Sequence, residues 1–154
     1  MPNKLESAAP NPHGRRLVEK ELSYRIVGCF MRVHNQLRFG FVESVYAKAM
    51  CVALHRVGLR VQREVPVVVR FDGVEVGHHR LDMLVEGRII LELKSTEKIS
   101  EVPKRQIRSY LAAANLELGL LLHFGPEAKC YRVLHQANNG SPRFDSGDSG
   151  DSDA

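Results

Sequence analysis

Tryptophan is missing from this chain, and Phe and Tyr together make up only 6% of it. That scarcity weighs against a single-strand binder built on a broad stacking platform. No run of about 18 apolar residues occurs, so no helix is expected to cross a membrane. Residues 1–14 are polar and Pro/Asn-containing, without the apolar centre of a secretion signal. Cysteine is limited to Cys29, Cys51 and Cys130, widely spaced and odd in number, each in an apolar stretch. Such a set is explained better by buried, reduced thiols of a cytoplasmic protein than by a disulfide or zinc framework.

What is present has the balance of an ordinary globular domain, with 44% apolar and 26% charged residues. At 154 residues the chain suffices for one domain with a true core. The net charge of +4 is uneven: residues 137–154 carry Arg143 against Asp145, Asp148, Asp151 and Asp153, leaving +7 on residues 1–136. A basic body suits a polyanionic partner, although many ordinary proteins are as basic. The pattern divides the chain into a disordered segment 1–14, a folded domain 15–136 and a disordered acidic tail 137–154. The two outer segments lack the apolar side chains that offset ordering entropy.

Within the domain the hydrophobic period changes twice. Leu17, Leu22, Ile26, Cys29, Phe30 and Val33 recur at helical spacing, predicting a helix over 15–37. Gly40 interrupts it, and a second helix runs from Glu43 to Val57, with an apolar stripe of Val42, Val45, Tyr46, Ala49, Ala53 and Val57, and Gly58 as its stop. Period two then sets in with Val61, Val65, Val67 and Val69. Asp72-Gly73 signals a hairpin turn, a return strand reaches Val85, and Glu86-Gly87 turns the chain into a third strand, 88–94. Ser100 is expected to cap a helix over 101–114 with Pro103 in its first turn. Strands follow at 118–124, buried on both faces, and at 131–134, on an edge. The order ααβββαβ(β) gives an α/β fold with a mixed central sheet flanked by helices.

Chemistry concentrates on two strands. In Glu92-Leu93-Lys94 the two charged side chains share one strand face, and burying them is costly unless they serve each other or a ligand. A hairpin brings Asp82 toward Glu92, and two converging carboxylates call for a divalent cation, with oxygen donors suited to magnesium or manganese. Lys94 would then help activate a water or stabilise charge developing on a phosphate. The plainer alternative is a solvated ion pair worth under about 1 kcal/mol. Strand parity decides whether the acids meet. A two-residue Glu86-Gly87 turn sets Asp82 opposite Leu91 and away from Glu92, whereas a three-residue loop over Glu86 to Arg88, with Gly87 left-handed, sets it opposite Glu92.

A wider pattern surrounds these residues. Gly40-Phe41-Val42-Glu43-Ser44-Val45-Tyr46 reads G-x-x-E-x-x-Y, with Val33-His34 before it and Arg80-Leu81-Asp82-Met83-Leu84-Val85 and Ile90-Leu91-Glu92-Leu93-Lys94 after it. Over roughly residues 21–131 the chain resembles the bacterial GxxExxY family of the PD-(D/E)XK nuclease-like superfamily, whose fold is restriction-endonuclease-like. The resemblance implies Asp82 and Glu92 as metal ligands with the Leu93 carbonyl, Lys94 as the catalytic lysine, and Glu43 completing or orienting the metal site. It also implies that Gln106 and Tyr110, one helical turn apart, reach the site or the nucleic-acid backbone. The chain departs from the family pattern at Arg38-Phe39, where Gly-Pro is common, and at His79, where Tyr is frequent.

Simpler roles stand beside these. Glu43 suits a helix start through the macrodipole alone. Tyr46 reads as a core ring with a bonded hydroxyl. Gln106 can be a solvent-facing helix residue, and Lys104, Arg105 and Arg108 either meet phosphates or form a solvated helix face. His78 and His79 point to opposite faces and so do not act jointly as ligands. The expected activity is divalent-metal-dependent phosphodiester cleavage, of DNA before RNA. The alternative is a non-catalytic nucleic-acid-binding or protein-interaction module. A nuclease of this size is expected to draw specificity from a protein partner or from a homodimer.

Overall fold

A computed structural model describes residues 12–136, with residues 12–18 as backbone only. The segments 1–11 and 137–154 lie outside the described residues, and with them most of the disorder expected at both ends. Eight elements follow one another: α1 (Pro12–Leu37), α2 (Glu43–Arg56), β1 (Val61–Phe71), β2 (Val74–Val85), β3 (Ile89–Lys94), α3 (Val102–Ala114), β4 (Leu118–Phe124) and β5 (Ala128–Leu134). The expected order holds. Helix α1 starts at Pro12, taking in three residues assigned above to the disordered segment, because Pro is well suited to a first helical turn. Ser100 is not the cap of α3; Glu101 holds that position without a side-chain bond, and Pro103 lies in the first turn as expected. β5 begins three residues before Tyr131 because pairing with β4 continues back to Ala128.

The five strands lie in the order β1-β2-β3-β4-β5, antiparallel throughout except for the parallel pair β3–β4. Helix α3 supplies the crossover that a parallel pair requires. One core fills the space between the sheet and α1 with α2, and contains Phe30, Tyr46, Met50, Met83, Leu91, Leu93 and Phe124. The other lies under α3, with Ile90, Ile107, Leu111 and Leu121. Three layers result, and β4 between them is buried at every residue, as its mainly apolar sequence predicts. The buried face of α2 is Tyr46, Ala47, Met50, Ala53 and Leu54. The expected stripe is therefore rotated: Val42 and Val57 are exposed at the helix ends, and Met50 and Leu54 take the core. Cys29 packs inside the first core, Cys51 and Cys130 lie half-buried against it, and all three are free thiols.

Gly119, in β4, lies directly beneath α3. A Cβ there would stand 2.4 Å from Ile107 Cγ2, a β-branched methyl with little freedom to withdraw. Gly119→Ala is therefore expected to destabilise the fold by ~1–3 kcal/mol through overpacking. A melting temperature equal to that of the wild type would show that α3 shifts without strain.

Two irregularities shape the region that matters. The β2–β3 register pairs Val85 with Ile89, Leu84 with Ile90 and Met83 with Leu91, so the loop is the three-residue Glu86-Gly87-Arg88. Extended by one residue, that register sets Asp82 opposite Glu92, as a shared site requires. Gly87 is left-handed at φ 64°, but so is Glu86 at φ 53°, a conformation that parity reasoning expected it to resist. Arg60 holds it there. The Glu86 N–H donates to the Arg60 carbonyl at 2.9 Å, and its carboxylate accepts from the Arg60 amide at 2.7 Å and from its guanidinium at 3.0 Å.

The second irregularity faces Asp82 from β1. Glu64 is left-handed at φ 51°, and it is skipped in a ladder that pairs Arg63 with Met83 and Val65 with Leu81. Leu81 packs into the α3-side core and Met83 into the opposite one. Residues two apart in a regular strand share a face, so the hairpin turns over at Asp82.

Candidate active site

Glu92 alternates with Leu91 and Leu93, both in the α1/α2-side core, and so points to the α3 side. It is buried, 7% exposed. Its Oε1 lies 3.8 Å from the Lys94 ammonium, and its Oε2 is buried without a hydrogen-bond partner. Past Met83 the backbone ladder between β2 and β3 gives way to a side-chain bond, in which the Leu93 N–H donates to Asp82 Oδ2 at 2.9 Å. The turnover of the hairpin at Asp82 thus leaves its carboxylate against β3. Glu43, the first residue of α2, approaches from the opposite layer around the end of β3, where the Ser95 N–H donates to it and Lys94 and Asp82 are its charged neighbours.

The electrostatics record this crowding. Burial pushes the Glu92 carboxyl up to about 8, with Asp82 and Glu43 adding to the rise and Lys94 opposing it. Burial raises Glu43 as well, and there Lys94 pulls down while Asp82 pushes up. The Tyr110 hydroxyl on α3 is raised by burial and then by Glu92 and Asp82, which sets it beside both acids. Lys94 does not offset what burial and the neighbouring acids do to Glu92. Glu92 then keeps a proton at neutral pH unless a cation replaces it.

Of the residues expected from sequence, the structure brings together Glu43, Asp82, Glu92, Lys94 and Tyr110. Gln106, Arg105 and Arg108 lie exposed on α3, and no described contact carries them to the acids. Lys104 is occupied in the fold, pairing with Glu101 at 3.2 Å and resting 4.1 Å above the Tyr131 ring. His78 pairs with Glu75 at 3.6 Å while the His79 ring lies 5.1 Å from that of Tyr110, so the two do not act together. Tyr46 stacks on Phe124 with centroids 4.3 Å apart, its hydroxyl donating to the Arg38 carbonyl and accepting from the Phe41 N–H. It is a core residue that fixes the loop leading to Glu43.

Sequence reasoning missed His123. Buried on β4 opposite Lys94, it donates from Nε2 to the Thr96 carbonyl at 2.6 Å and so anchors the turn that follows Lys94. Gly125 leaves room for the ring, since a Cβ there would lie 2.7 Å from His123 Cε1. A buried histidine in an apolar strand was the available signal.

The donor set fits a hard cation. Its side-chain donors are carboxylate oxygens, one of them buried without a hydrogen bond, and the surplus of negative charge is what a divalent ion would neutralise. Among the described residues, however, no three His, Cys, Asp or Glu side chains stand close enough to form a ready metal-binding group. Asp82 is instead turned onto the Leu93 amide.

No curated protein matches the chain. Among solved structures, that of SSO0001 aligns with a TM-score of 0.49 and 18% identity, over 62% of this chain and 50% of that one, so the chain spans about half the length of that protein. The family model of the PD-(D/E)XK nuclease superfamily matches residues 20–133, from α1 into β5. Carrying that match over most of its length, the chain belongs to the PD-(D/E)XK nuclease superfamily.

Proposed function

We propose that this protein is a divalent-metal-dependent nuclease that cleaves phosphodiester bonds, in DNA rather than RNA, and that it is a GxxExxY-type member of its superfamily. The observation that carries the reading is the buried Glu92 carboxyl, crowded by Asp82 and 3.8 Å from the Lys94 ammonium. A carboxylate held so far above its ordinary range is unfavourable for the fold and suits a site that awaits a cation. Asp82, Glu92 and the Leu93 carbonyl would hold magnesium or manganese, with Glu43 completing or orienting the set. When bound, such an ion polarises the phosphate and acidifies water. Lys94, at the end of β3, would stabilise charge growing on the phosphate. Tyr110 would meet the substrate from α3, and Gln106, Arg105 and Arg108 would contact its backbone further along that helix. The +7 body favours a polyanion, and we place the protein in the bacterial cytoplasm. A protein partner or a second copy of the chain would supply sequence specificity. No helix among the described residues is long and apolar enough to cross a membrane.

One observation favours a second reading, a non-catalytic nucleic-acid-binding or interaction module, because the Leu93 amide already engages Asp82. Purified protein incubated with circular DNA, linear DNA and RNA in magnesium, manganese or EDTA separates the two. Cleavage that requires the metal is expected. Metal binding and cleavage both absent would leave the module.

A further inference from the structure

The chain has few aromatic rings, and their placement is uneven. Of the five phenylalanines among the described residues, Phe30 and Phe124 are fully buried, and Phe71 is at the β1–β2 turn. The other two, Phe39 and Phe41, lie in the short loop between α1 and α2, 41% and 49% exposed, immediately before Glu43. Exposed Val42 continues the same rim.

This loop is built rather than slack. Arg38 is left-handed at φ 62° and Gly40 has φ 132°, which throws successive side chains out of helical phase. The Arg38 N–H closes onto the His34 carbonyl at 2.8 Å. The buried Tyr46 hydroxyl holds both the Arg38 carbonyl and the Phe41 amide, and its ring meets that of Phe41 edge-on at 6.2 Å. Two aromatic side chains are therefore held outward on an ordered backbone, with little left to lose on contact with a ligand.

A rim of half-exposed rings two residues from an acidic centre suits one occupant in particular. Bases of an unpaired strand offer flat faces that stack on such rings whatever their sequence, whereas a paired duplex keeps those faces covered. The exposed Arg38 and half-buried Lys94 add positive charge for the phosphates on either side. We infer that Phe39 and Phe41 form a stacking platform that selects unpaired nucleotides, so that the substrate is a single strand or the frayed end of a duplex. This inference deepens the nuclease reading, since it presumes that nucleic acid occupies the site, but its test does not depend on cleavage.

Because the chain has no tryptophan, Phe41→Trp creates a single fluorescent reporter. The full-length variant is titrated in EDTA with three ligands of about a dozen nucleotides each: oligothymidylate, an abasic strand with as many phosphates, and a blunt duplex. Saturable quenching by oligothymidylate is expected, with the abasic strand and the duplex binding at least about tenfold more weakly. Adding Phe39→Ala should weaken oligothymidylate about tenfold and alter duplex binding less than twofold, and Phe39→Tyr should restore it. Equal binding of thymidylate and abasic strands would overturn the proposal, as would an unchanged affinity in Phe39→Ala or the absence of saturable binding. Absent cleavage in magnesium or manganese, with base-dependent quenching intact, would remove the nuclease and keep the platform.

Discussion

If the proposed activity holds, Lys94→Ala is expected to slow metal-dependent cleavage by about a thousandfold while its melting temperature stays within a few degrees of the wild type. The rate falls because a fixed cation beside the developing charge on the phosphate has no substitute in water, and loss of one such group typically removes two to three orders of magnitude. Stability should survive for a reason specific to this site. Lys94 neighbours Glu92, and stripping the partner from a buried carboxylate would ordinarily leave an uncompensated charge. Glu92, however, titrates at about 8 and takes up a proton instead. Lys94→Arg provides the contrast: it keeps the charge but replaces a compact ammonium with a planar fork, so it should not recover the rate. Single-turnover cleavage of linear DNA in manganese measures both. A Lys94→Ala protein that cuts at the wild-type rate would trace the cutting to a contaminant.

The second large effect is on stability against pH. Glu92 titrates at about 8 when folded, against an ordinary value of 4.5, so the folded state binds this proton more tightly than the unfolded chain. Its contribution is fully present below pH 4.5 and is lost as pH rises toward 8. Glu43, also raised, acts in the same direction. Each unit of difference is worth about 1.4 kcal/mol, so the metal-free protein should lose a few kcal/mol between pH 5 and 8, or ~5–10 °C in melting temperature. Glu92→Gln should flatten that slope, because an amide has no proton to give up. Manganese at pH 8 should restore the wild type, since an ion that binds only the folded state stabilises it by mass action, and should do little for Glu92→Gln. Thermal melts in EDTA at several pH values would decide this. A wild-type profile as flat as that of Glu92→Gln would mean that Glu92 is not held in the raised state.

Much of this was legible in the chain. The order of the elements, the two-sided burial of β4 and the parity argument that demanded a three-residue loop all follow from local periodicity and turn chemistry. Long-range strain was not. Nothing near Glu64 announces its left-handed backbone, and nothing near Asp82 announces that β2 turns over there, because each conformation is imposed by the neighbouring strand. The same holds for Glu86, which adopts a conformation its own preferences oppose because Arg60, 26 residues earlier, grips both its backbone and its carboxylate. Gln106 and Tyr110 read alike on a helical wheel, yet only Tyr110 is buried beside the acids. The depth of α3 against the sheet separates them, and a helical period carries no information about depth.

The Arg60–Glu86 clamp has a wider consequence. Met83, Leu84 and Val85 are all buried, and so are Ile89, Ile90 and Leu91. In most hairpins a one-residue slip is forbidden because it drives polar side chains into the core and apolar ones into water. Here both faces of the pairing are greasy, so a slipped alignment would bury nearly as much oil as the correct one. Hydrophobicity is almost blind to register at the one place where register decides whether Asp82 meets Glu92. The discrimination falls to the surface loop and its arginine clasp, well away from the acids. Loss or gain of one residue in that loop would leave a protein that folds and is chemically mute, its two carboxylates turned to opposite sides of the sheet.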